Sequence, residues 1–347
     1  PQICRRCVPG IQSGITLERM PRTHHALPSD LGAGFSTAQA RAERVGARRL
    51  RHSDLVRVAH GLYARYAELV PDDHSMHPEE AWRIRQAESA RAIAPVLPPR
   101  LFFAGRTAAA IWGLPVRPSG TADLEVATFA PHRAPRRAGL RAVAVNRELA
   151  SVVEHLGMRV TDPASTWAMH AGSIDLHDGV ALGDAIIHEA RIPGTDRLEH
   201  PPLATLAELE RAATSGRRKG VAQLRRILPL LSPHSASPPE SHLRLAIGEW
   251  GLPEPQLDFD VYDARGRLIG CSEIAFPEFT LAAEYEGVHH LTTTRQWNRD
   301  IEKYRDYASN GWEVLRVTAD LLYRRRLELR RQLTEALMRR GWRGVGN

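Results

Sequence analysis

The fold class predicted is α+β, multidomain, and three observations predict it. At 347 residues the chain exceeds one ordinary domain. Apolar periodicity switches repeatedly between the helical and the strand repeat. The stretch Leu231 to Pro239, rich in Ser and Pro, separates two differently patterned halves. The resulting division is residues 1–28 without regular structure, 29–70 a winged helix-turn-helix-like unit, 71–230 an α+β connecting unit, 231–239 a linker, and 240–347 a core of order αβββαβ.

The first unit follows from Ser36-Thr37, a helix start before Ala38–Glu43, then Gly46 and a second short basic helix over Ala47–His52. Leu55–Val58 and Leu62–Arg65 form a hairpin with His60-Gly61 at its tip. Helix, basic helix and hairpin is the order of a winged helix, in which Arg48, Arg49 and Arg51 would face DNA. In the connecting unit, Pro78 opens a helix toward Ile93 and a short helix covers Arg106–Trp112. Leu124–Phe129 and Leu140–Val145 alternate as strands around a loop holding Arg133, Arg136 and Arg137. Helices follow from Asp162-Pro163 and near Leu182–Glu189, Leu203–Ala213 and Gly220–Leu228. The basic run Arg211, Arg217, Arg218, Lys219, Arg225 and Arg226 reads more readily as a solvated helical face than as a phosphate track.

The last unit carries the chemistry. A helix from Glu240 to Trp250 precedes strands Gln256–Tyr262, Leu268–Phe276 and Phe279–Tyr285, a helix Arg295–Ser309 and a strand Trp312–Val317. Alternation puts Glu284 and Glu286 on one face of the third strand, with Glu273 on its neighbour. Three carboxylates so close repel unless a cation sits among them, and Mg²⁺ or Mn²⁺ suits such hard oxygen donors. Glu240 would add a supporting carboxylate, His290 would handle a proton or the scissile phosphate, and Arg295, Arg299, Lys303 and Arg305 would hold DNA phosphates.

Composition narrows the partners. A net charge of +7 favours a polyanion, although an arginine-rich composition produces the same excess without one. Three cysteines cannot build a disulfide framework, so a cytoplasmic protein is expected. Cys4 and Cys7 form one CxxC with no second pair to complete a zinc site. No apolar run approaches the ~20 residues of a membrane span.

Two resemblances bear on these readings. Phe35–Ala40, Arg48–Arg51 and Val58–Tyr63 resemble the amino-terminal winged helix of AbiEi-type antitoxins, which binds promoter DNA. Gly270–Glu278, Ala283–Gly287, His290, Arg295–Asp300 and Gly311–Val317 resemble the Vsr-like branch of the PD-(D/E)XK nucleases, a restriction-endonuclease-like core. The resemblance implies a Mg²⁺-dependent endonuclease, with Glu273, Glu284 and Glu286 as metal ligands and a place in a defence or toxin–antitoxin system. The alternative it implies is a non-catalytic DNA-binding regulator or antitoxin on a degenerate nuclease fold. The family has Asp where Glu273 and Glu286 stand, and Glu286 takes the place of the motif's lysine.

Overall fold

The computed structural model describes residues 26–69, 76–118, 120–287 and 294–344, and only the backbone of Glu68 and of residues 294–300. The architecture is α+β, with separate sheets of three, five and four strands and helices packed on them. Among the described residues no helix is long and apolar enough to cross a membrane.

The first sheet has the order β1-β3-β2, from β1 (Gly34–Ser36), β2 (Leu55–Ala59) and β3 (Leu62–Arg65). A capping box starts α1 (Thr37–Ala42): Gln39 N–H donates to Ser36 Oγ at 3.2 Å and Ser36 N–H to Gln39 Oε1 at 2.8 Å. Leu27, Leu31, Phe35, Ala40, Leu50 and Leu55 close a small core beneath it. The second helix expected over Ala47–His52 is instead a single 3-10 turn, Arg49–Arg51. Gly46 before it and the extended His52 after it leave too few residues to repay helix nucleation.

The five-stranded sheet runs β6-β5-β4-β8-β7. Its strands are β4 (Phe102–Phe103), β5 (Leu124–Phe129), β6 (Leu140–Val145), β7 (Val152–His155) and β8 (Met158–Thr161). Helices α2 (Pro78–Ile93) and α3 (Gly105–Ile111) pack on it, and α4 (Pro163–His170), α5 (Leu176–Ile187), α6 (Leu206–Thr214) and α7 (Val221–Ile227) build a helical core beside it. Strands β5 and β6 are parallel neighbours, so the loop 130–139 must cross back along the sheet edge rather than turn as a hairpin. That path brings it onto the β2–β3 turn. His60 N–H donates to the Ala138 carbonyl at 2.7 Å, and Arg137 Nε to the His60 carbonyl at 2.5 Å. Gly139 sits in the left-handed region (φ +85°), and a Cβ there would lie 2.5 Å from Ala59 Cα, so only glycine allows the approach.

The last unit contains α8 (Pro238–Glu249), β9 (Gln256–Tyr262), β10 (Leu268–Phe276), β11 (Leu281–Glu286), α9 (Thr294–Ser309), β12 (Glu313–Thr318) and α10 (Arg326–Arg339). Its sheet has the order β12-β11-β10-β9, antiparallel except for the parallel β11/β12 pair. Leu243 and Ile247 of α8 and Leu329 and Leu333 of α10 pack on Ile274, Leu281 and Ala283 of one sheet face. Tyr307 of α9 covers Val261 and Ala282 on the other.

Residues 231–239 are packed in place. The carboxylate of Asp184 on α5, wholly buried, accepts from Ser232 N–H at 2.7 Å, Ser241 Oγ at 2.7 Å and Arg244 at 2.8 Å. Burial pushes this carboxyl up, and Arg244 with the two serines holds it back. One acid thereby ties α5, the connecting segment and α8 together.

Candidate active site

The alternation expected of β11 holds. Leu281, Ala283 and Tyr285 turn toward α8 and α10, while Glu284 and Glu286 turn toward α9. On that face Lys303 Nζ donates to Glu284 Oε2 at 2.9 Å and to the Cys271 carbonyl at 2.8 Å. Its ammonium also lies 5.4 Å from the centre of the Tyr307 ring. Glu284 Oε1 is buried with no hydrogen-bond partner among the described residues.

Strands β9 and β10 carry an irregularity that sequence periodicity did not reveal. Ser272 bonds Tyr307 on the α9 face, yet Ile274 lies in the opposite core. Opposite them, Phe259 packs on the α9 face and Leu257 on the other. In a regular strand residues two apart share a face. Both strands therefore swap faces between these pairs, at Asp258 and Glu273, and Asp258 adopts a left-handed backbone (φ +48°). Tyr285 N–H donates to Glu273 Oε2 at 2.8 Å. Burial, and then the charges of Glu240 and Glu284, push the Glu273 carboxyl up to about 8. The lone Tyr285 N–H and the more distant Lys303 do not offset this.

Glu240 joins the cluster from the first turn of α8, behind Ser237, Pro238 and Pro239. Its two oxygens accept from Ala236 N–H at 2.8 Å and Ser237 Oγ at 2.7 Å. Burial raises this carboxyl, and the nearby charges of Glu284 and Asp258 add to the rise. The acids that sense one another are thus Glu240, Glu273 and Glu284, with Asp258 at the margin.

Glu286 goes elsewhere. Its Oε1 accepts from Arg316 of β12 and, at 3.1 Å, from Tyr304 of α9. Of the expected trio Glu273, Glu284 and Glu286, alternation places Glu286 beside Glu284, and its carboxylate bonds an arginine on the parallel neighbour strand. Among the described residues no three His, Cys, Asp or Glu side chains stand at the spacing of a metal shell.

One further residue escaped the sequence reading, and a second was read for another role. Arg191, on the segment after α5, donates to Asp258 Oδ2 at 2.8 Å and to the Asp258 carbonyl at 2.6 Å, and it pairs with Asp260. Nothing local in the sequence links it to strands so far along the chain. Lys303, expected from the sequence as a phosphate contact, is the single lysine of α9, next to Tyr304 and four residues before Tyr307, both of which face the sheet, and it turns inward with them to Glu284. Burial and then Asp258, which accepts from Cys271 Sγ at 3.0 Å, push the Cys271 thiol far up and favour its protonated form.

The expected DNA contacts divide. Arg49 is committed to Asp54 by a two-pronged pair at 2.6 and 2.7 Å, whereas Arg48 and Arg51 are exposed. His290, the side chains of Arg295 and Arg299, and Cys4 and Cys7 lie outside the described residues.

Two uncharacterized proteins of Mycobacterium tuberculosis, from strains CDC 1551 / Oshkosh and ATCC 25618 / H37Rv, are similar to this chain. Each is 29% identical over 115 residues, which is 33% of this chain and 42% of the relative. The match thus spans less than half the length of either. No family model matches the chain.

Proposed function

We propose that the carboxy-terminal unit is a PD-(D/E)XK-type nuclease domain that hydrolyses DNA phosphodiesters, attached to an amino-terminal winged-helix-like unit that holds DNA. One observation carries the hydrolytic part. Glu273 and Glu284 are buried acids on neighbouring strands, close enough that burial and then nearby acids, Glu284 among them, push Glu273 up, and one buried oxygen of Glu284 has no partner among the described residues. Lys303 supplies a single positive charge to this pair. The arrangement has room in its charge balance for a hard cation, and Mg²⁺ needs only one or two carboxylates if water and phosphate complete its shell.

Glu273 and Glu284 would hold the ion. Glu240 is occupied by its own cap, and Glu286 by Arg316 and Tyr304. When bound, Mg²⁺ or Mn²⁺ supplies activation of water and neutralisation of phosphate charge. The chain itself contributes the rest. Tyr285 N–H fixes Glu273, Lys303 holds the Glu284 side chain in place, and Glu240 braces the start of α8 beside them.

A second reading, a DNA-binding regulator without hydrolysis, is favoured by a different observation. Lys303 and Arg316 already answer Glu284 and Glu286. Calorimetric titration with Mg²⁺ and Mn²⁺, run beside plasmid cleavage, separates the two. The nuclease reading expects metal binding and nicking in the wild type, both lost in Glu284→Ala. Salt-sensitive DNA binding without metal uptake or cutting supports the regulator and removes the nuclease.

A further inference from the structure

The β2–β3 turn would be the wing of a winged helix, yet the loop 130–139 covers its tip through the His60–Ala138 and Arg137–His60 bonds. Gly139 lets the two backbones meet at a distance no other residue permits. The tip is therefore not free to enter a DNA groove in the manner of a wing. The 3-10 turn Arg49–Arg51 is also too short to serve as a reading helix.

What remains is a groove of about 490 Å³ between the start of α1, this 3-10 turn and the hairpin. Thr37, Arg51, Arg57 and Tyr63 line it, and among the described residues no carboxylate does. The four other cavities described in the chain all have acidic residues in their walls. Arg137 reaches the same place from the other unit. A Cβ built on Gly61 would lie 3.3 Å from its guanidinium and 3.2 Å from Thr37 Oγ1. Arg133 and Arg136, exposed on the same loop, extend the positive charge beyond the hairpin.

We propose that this composite surface binds the sugar-phosphate backbone of duplex DNA, with the loop 131–137 of the connecting unit taking over the contacts a free wing would make. The proposal shares the partner of the proposed function but not its acid site. Arginine guanidinium groups, a hydroxyl and a tyrosine are the groups that bind phosphate oxygens, and such contacts hold DNA without reading its sequence. Binding here is expected to depend weakly on sequence and strongly on salt.

The test is fluorescence anisotropy of the full chain with a labelled mixed-sequence duplex of about 25 base pairs. It runs in EDTA, so the outcome is independent of metal and of hydrolysis. Each phosphate contact contributes about 0.9 to the slope of log K against log salt. Arg51→Ala with Arg57→Ala should lower that slope by about 2, and Arg133→Ala with Arg136→Ala by a similar amount. Arg225→Ala with Arg226→Ala, an equal charge loss on an exposed face of α7, should leave it unchanged. Circular dichroism melts check that each variant is folded. No wild-type binding, an unchanged slope in the Arg133/Arg136 pair, or an equal drop in the Arg225/Arg226 pair would each overturn the assignment. Plasmid cutting absent in Mg²⁺ while this binding persists would count against the nuclease alone.

Discussion

Glu273 shows how far a single carboxyl can be moved by its surroundings. Its folded pKa, about 8, lies well above the ordinary carboxyl value. A raised carboxyl favours the folded state while protonated, and that advantage fades as pH climbs from about 4.3 toward the folded value. Glu273→Gln keeps an acceptor for Tyr285 N–H and removes the charge. Its melting temperature should match the wild type near pH 4 and exceed it at pH 8, a gain of about 4 kcal/mol. Added Mg²⁺ should narrow that difference by stabilising the wild type alone; a gap that ignores metal would argue against Glu273 as a ligand. Lys303 predicts the opposite sign. Replacing it with Met leaves the buried Glu284 carboxylate unpaired, and chemical denaturation should show a loss of about 3 kcal/mol. If Glu284 is a cation ligand, millimolar Mg²⁺ should recover more stability in Lys303→Met than in the wild type.

At the scale of elements, strands with clean alternation and marked ends were legible. The bounds of β9, β10, β5 and β6 and of α2 agree with those read from the sequence, because Pro78, Asp263–Gly266 and Gly139 punctuate them. The two-residue β4 and the β7–β8 hairpin were not, since such short strands carry too little periodicity to stand out. The acid site was legible in part for the same reason. Period-two alternation paired Glu284 with Glu286, but nothing local forecasts the face swap at Asp258 and Glu273 or the arginine across the parallel strand. The hairpin tip gives a test here. Gly139→Ala should cost about 1–3 kcal/mol, because the new methyl meets the Ala59 backbone and the φ is strained. Hydrogen exchange should then rise at the His60 amide while the amides of β10 and β11 stay protected.

For the whole molecule, Asp184 sets the cooperativity. Three donors from the segment around 232 and from α8 converge on this one carboxylate, wholly enclosed between the connecting and last units. Asp184→Ala strands Arg244 and should destabilise the chain by about 3–5 kcal/mol. Scanning calorimetry should show one transition in the wild type splitting into two in the variant; a single shifted peak would mean the apolar contacts alone couple the units. The Pro- and Ser-rich composition of 231–239 gave no hint of this, since composition reports the turn chemistry of a segment and not the partner its amides find.

The grip of Arg191 on Asp258 has a consequence for anyone dividing the chain. Expressed from Pro238 onward, the last unit would keep its four strands but lose the guanidinium that neutralises Asp258 and Asp260. Those two acids would then face the sheet edge unanswered, and the fragment would be more acidic at that edge than the same surface in the intact protein. Cation affinities measured on such a fragment would describe a surface that residues 1–347 together do not present.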